Sequence, residues 1–75
     1  MIKWEYLEVF VIFASDVYEG EVVSRIAANG TIIFDDRKKP KYLFGYFNQL
    51  GKDGWELIIR DHNKFYFKRP LESTI

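Results

Sequence analysis

The chain has no cysteine and a single histidine, His62, among its 75 residues. Without thiols there are no disulfides and no thiolate zinc sites, and one imidazole cannot build a histidine-rich metal centre. A domain this short lies near the lower limit for a self-sufficient core. With covalent and metallic staples excluded, the remaining remedy is oligomerisation. Net charge is also missing: 11 basic residues balance 11 acidic ones, which argues against a general nucleic-acid coat protein. Nor is there a long apolar run. Val9 to Ala14 is too short to cross a bilayer, and the start, Met-Ile-Lys-Trp-Glu-Tyr, lacks the apolar stretch of a secretory signal. These absences lead to the expectation of one small cytoplasmic domain with no membrane contact and no cofactor.

What the chain does have is rings. Aromatic residues make up 19% of it, more than so small a domain readily buries alone. Residues 1–14 read as a long first strand rich in β-branched and aromatic side chains. Ile2, Trp4 and Tyr6 alternate with Lys3 and Glu5, as in a strand with one wet face. From Val9 to Phe13 every position is apolar, which predicts either a bulge that switches the inward face near Glu8 or a second layer over the outer side.

Ser15 to Gly20 is an expected loop. A hairpin over 21–35 follows, turning at Asn29-Gly30, where both residues tolerate positive φ. A helix is expected over 40–51, with Pro40 in its first turn and Leu43, Phe47 and Leu50 at helical spacing, widened by Phe44. Gly45 predicts close approach to the sheet, and Gly51 the left-handed residue that ends the helix. Residues 55–69 form a second hairpin. Trp55, Leu57 and Ile59 alternate with Glu56, Ile58 and Arg60, and Phe65 and Phe67 face away from Tyr66 and Lys68. Residues 70–75 are an expected tail. The predicted order is β-β-β-α-β-β, an α+β fold with one helix on one face of an antiparallel sheet.

Three stretches carry a resemblance. They are Lys3-Trp4-Glu5-Tyr6, then Leu50-Gly51-Lys52-Asp53-Gly54-Trp55-Glu56-Leu57, and finally Phe67-Lys68-Arg69-Pro70-Leu71. In order and content they are similar to a small bacterial and phage family described only as domain of unknown function 4177. The resemblance covers about half the chain and implies a short sheet-plus-helix module with no assigned activity.

No catalytic constellation emerges. Asp61-His62-Asn63 sets the one imidazole beside a carboxylate, yet all three residue types are natural turn formers. Gly51-Lys52-Asp53-Gly54 closes a helix, whereas a phosphate loop opens one at the positive dipole end. Asp35-Asp36 reads as solvated carboxylates rather than a divalent-ion site.

Two interaction readings remain. The first is self-association, dimeric by preference, face to face or edge to edge through Val9, Phe10, Val11, Ile12, Phe13 and Ile58, because one helix covers one side of a sheet. Against it stands a strongly coiled sheet that covers itself. The second is a nucleotide- or nucleic-acid-binding surface. Arg37, Lys38, Lys39 and Lys41 cluster at the helix start, and Arg60, Lys64, Lys68 and Arg69 lie in the last hairpin with Tyr66 available to stack. Against that reading stands the ordinary use of lysine on sheet edges. The leading expectation is a non-enzymatic, self-associating protein-interaction or regulatory module.

Overall fold

The computed structural model describes residues 2–14 and 22–71. The loop expected at Ser15 to Gly20, Glu21, and the tail past Leu71 lie outside the described residues. In chain order the elements are β1 (Trp4–Phe13), β2 (Val22–Ala28), β3 (Thr31–Asp35), β4 (Lys41–Tyr42), α1 (Leu43–Lys52), β5 (Glu56–Asp61) and β6 (Lys64–Pro70). All pairings are antiparallel. The sheet runs β3-β2-β1-β6-β5, and β4 adds to β2 on the side of β3. With α1 packed on one face, the fold is α+β, as the sequence pattern predicts.

β1 is the central strand and sets the two faces. Leu7, Val9 and Val11 are buried and Phe13 packs beside them, so the odd positions meet the helix. Trp4, Tyr6 and Ile12 point to the opposite face, which we call the open face. No switch of the inward face occurs near Glu8, and no second layer covers the outer side among the described residues. Alternation continues through Glu8, and the register slips only between Ile12 and Phe13. This reverses the sense of the first few residues: Trp4 and Tyr6 share the parity of Ile12, while Glu5 falls on the helix side.

The helix-face core joins Leu7, Val9, Val11, Val23, Ile26, Leu43, Leu50, Phe65 and Phe67. Four of its aliphatic side chains (Val9, Val11, Val23 and Ile26) are fully enclosed, each worth roughly 1.5–3 kcal/mol of transfer free energy. Phe47 lies edge-on to Phe65 and Phe67, with ring centroids 4.9 and 5.2 Å away.

The helix starts three residues later than Pro40 predicts. Lys41 and Tyr42 stay extended because they pair with Val23 and Val22, and Tyr42 enters the helix with no side-chain cap. The end also differs. Gly51 is helical, and the left-handed residue is Gly54 at φ +91°. Trp55 N–H donates to the Leu50 carbonyl and Gly54 N–H to that of Gly51, both at 3.0 Å, the paired bonds of a Schellman cap. Gly45 does not approach the sheet, since a Cβ there meets nothing within 4 Å. Phe44, expected to widen the buried stripe, is exposed.

In the second hairpin a bulge between Leu57 and Ile59 breaks the predicted alternation. Leu57 lies opposite Phe67 on the helix face, whereas Ile59 lies opposite Tyr66 on the open face. The two hairpins meet β1 at opposite ends. β2 pairs with Val9 to Phe13, and β6 with Trp4 to Phe10. This stagger draws the molecule out to 46 × 20 × 20 Å. Its radius of gyration is 13.5 Å, against about 11 Å for a compact domain of this length.

Candidate interaction face

Strand periodicity alone assembles the open face, because every second residue of each strand must project there. Down β1 it carries Trp4, Tyr6, Glu8, Phe10 and Ile12. Across the middle, Ile32 of β3, Ala27 of β2 and Phe10 form one row, and Glu8, Tyr66 and Ile59 form the next. Tyr6 is 65% exposed, Ile59 59% and Ile32 53%. No helix lies over this face among the described residues. The accessible surface totals 5862 Å², about a fifth more than the ~4,900 Å² typical of a compact monomer of this mass.

The self-association residues expected from the sequence divide accordingly. Val9 and Val11 are completely buried beneath the helix and are unavailable, because their odd parity puts them in the core. Phe13 also belongs to the helix side, half-buried against that core. Phe10 and Ile12 do reach the open face, and Ile58 is exposed at the bulge of the edge strand β5. Trp4, Tyr6, Ile32 and Ile59 were not among the residues expected there. The signal for the first two was the i, i+2 spacing shared with Ile12, once the parity of the core positions is known.

The basic groups do not converge. Arg37, Lys38 and Lys39 sit on the link between β3 and β4, where Asp36 Oδ1 accepts from the backbone N–H of Lys38 and Lys39 at 3.0 and 3.1 Å. Lys41 Nζ lies 5.2 Å from the ring centre of Phe34. Arg60 spreads over Phe65 and Phe13 on the helix face, and its Nε donates to the His62 carbonyl at 2.9 Å. Lys64 and Lys68 belong to the open face opposite Phe10 and Tyr6, and Lys68 Nζ stands 4.2 Å from the Trp4 ring centre. Tyr66 lies opposite Glu8 there. Lys41, Arg60 and Lys68 thus cover aromatic rings, on both sides of the sheet.

Arg69 has the most elaborate surroundings. Its Nε donates to Glu5 Oε2 at 2.7 Å, one terminal nitrogen donates to the Asp53 carbonyl at 2.8 Å, and the guanidinium lies 4.3 Å from the Trp55 ring centre. It ties β1, β6 and the helix cap together beside an open cleft formed with Gly54, Pro70 and Leu71. The sequence pattern did not reveal this role, because it depends on three segments distant in the chain.

His62 occupies the β5–β6 turn at φ +58°, its Nδ1 2.9 Å from Asp61 Oδ1 and its side chain 93% exposed. No group of three metal-ligating side chains occurs among the described residues. No described helix is long and apolar enough to cross a membrane. Burial raises the Tyr46 phenol above its usual pKa.

Fold and surface together define a small α+β domain whose sheet is covered by a helix on one side and presents aromatic and aliphatic groups on the other. Comparison with family models, curated proteins and solved structures finds no match.

Proposed function

We propose that this chain is a non-enzymatic, self-associating interaction module whose contact surface is the open side of the sheet. One observation carries the reading: Tyr6, Ile32 and Ile59 stand largely exposed on a face that no described element covers. The resemblance to domain of unknown function 4177 supports a sheet-plus-helix module and adds no activity to it. Covering even ~500 Å² of apolar area contributes on the order of 12 kcal/mol, comparable with the cost of losing translational and rotational freedom.

Sedimentation velocity at micromolar concentration tests this. A species of at least twice 9.0 kDa is expected, shifting to lower mass in Ile12→Lys and Ile59→Lys variants that keep the wild-type circular dichroism. A wild-type chain that stays at 9.0 kDa up to hundreds of micromolar overturns the proposal.

A further inference from the structure

The stagger of the hairpins leaves a sheet edge in the middle of the domain. β2 ends at Ala28, opposite Val9, and Asn29 takes up the next position: its N–H donates to the Glu8 carbonyl at 2.8 Å, and its Oδ1 accepts from Glu8 N–H at 2.9 Å. Before Glu8, β1 has β6 on one side and no strand on the other among the described residues. Hydrogen-bond parity fixes which groups face that gap. Lys3 carbonyl and Val11 N–H bond toward the β6 side, at Leu71 and Asn63, so odd residues serve β6. Trp4 and Tyr6 therefore aim their N–H and C=O groups into the unpaired side.

We propose that a second copy of this chain fills this edge, β1 against β1 in antiparallel sense about a two-fold axis at Trp4. This rests on the self-association reading and adds to its face contact a second, edge contact made by β1. The register follows from elimination. An odd offset would set helix-face residues against open-face residues. Centring on Lys3 or Glu5 sets like charges directly opposite, which is destabilising. Centring on Tyr6 requires the position at Glu8, which Asn29 already holds. Centring on Trp4 places Lys3 opposite Glu5 of the other copy, twice over, on the helix side. On the open side it makes a ladder in which Ile2 meets Tyr6, Trp4 meets Trp4 and Tyr6 meets Ile2. These three side chains are 66%, 38% and 65% exposed in the single chain. Glu5 bonds Arg69 through Oε2 alone, so its second oxygen is available to the incoming lysine. The paired sheets become continuous, and both open faces come to lie on the same side as one wider surface, which the edge pairing leaves uncovered for the face contact proposed above.

Three measurements test this. The chain has no cysteine, so Trp4→Cys introduces a single thiol. Facing Cα atoms of a bonded antiparallel pair lie about 5.5 Å apart, within disulfide reach. Mild oxidation is expected to convert most of the Trp4→Cys protein to a covalent dimer, while Ile59→Cys stays uncrosslinked. Should Trp4→Cys fail to fold, hydrogen exchange on the wild type reads the same contact: Trp4 and Tyr6 amides gain protection of tenfold or more as concentration rises. Lys3→Glu, which removes both unlike pairs, is expected to weaken the dimer at least tenfold. A dimer in which those amides exchange freely at every concentration, or in which Ile59→Cys crosslinks and Trp4→Cys does not, overturns the edge pairing and leaves self-association standing. A strictly monomeric chain overturns both.

Discussion

Three glycines in and after the helix give opposite stability predictions for the same substitution. Gly45 is helical and exposed, and a methyl group added there would have nothing within 4 Å, so Gly45→Ala removes backbone freedom from the unfolded chain without a clash. Gly45 is the third residue of α1, so the gain is about half of the ~1 kcal/mol of a helix interior, or roughly 2–4 °C in Tm for a domain of this size. Gly51 is also helical and unobstructed and sits in the last turn, so a similar gain is expected. The sites are six residues, about 9 Å, apart along the helix, so their effects should add. Gly54 behaves oppositely. Its nearest neighbour is Arg69 Cδ at 3.9 Å, so a methyl group fits, but φ +91° costs an L-residue about 1–2 kcal/mol. Urea and thermal unfolding followed by circular dichroism at one fixed protein concentration measure all three, since association makes Tm concentration-dependent. If Gly45→Ala is destabilising, the space beside Gly45 is filled in solution, and the exposed outer side of the helix described above is refuted.

Arg69→Ala loses two charge-assisted bonds and the Trp55 stack. Because the Arg69–Glu5 pair is about one-third exposed, a discounted loss of about 1–2 kcal/mol is expected in urea unfolding, with altered Trp55 fluorescence and little rescue by Arg69→Lys. Asn29→Ala removes the acceptor for Glu8 N–H and puts alanine at φ +50°, so a loss of about 1–2 kcal/mol is expected, with fraying at the Glu8 and Asn29 amides seen by hydrogen exchange. The Tyr46 phenol is raised by burial, so the folded state holds its proton more tightly than the unfolded chain does. That contribution is intact below the usual phenol range and is lost as pH rises through the elevated folded value. The stability of wild type should therefore fall more steeply in strong alkali than that of Tyr46→Phe, as measured by urea midpoints across that range.

Elements marked by local chemistry were legible in the sequence. Asn29-Gly30 turns the first hairpin at φ +50° and +84°, Asp61 to Lys64 turns the second, and Leu43, Phe47 and Leu50 give the helix its inner side. What escaped depends on partners. Pro40 is followed by two extended residues because β2 offers a vacant ladder position, which no local propensity encodes. The helix runs past Gly51 because a helical glycine is merely costly, whereas Gly54 is positioned to close the cap. The β5 bulge at Ile58 has no marker among three consecutive aliphatic residues. The interaction face was misread at Val9 and Val11 for a related reason. An apolar run in a strand does not say which parity the helix will claim, and Leu7, Val9 and Val11 together decide it. The basic groups looked like a cluster in one dimension, but pleating sent Lys64 and Lys68 to one side and Arg60 and Arg69 to the other.

Among the described residues, only Val9 and Phe10 of the central strand have paired strands on both flanks, since one hairpin stops there and the other begins. The domain is thus two ribbons spliced over a short overlap, with the helix as the splint that spans the joint. Pulled lengthwise, such a molecule should part at the splice before either ribbon unravels. Cooperative unfolding then depends less on the number of rungs in the sheet than on the grip of Leu43, Phe47 and Leu50 across the seam.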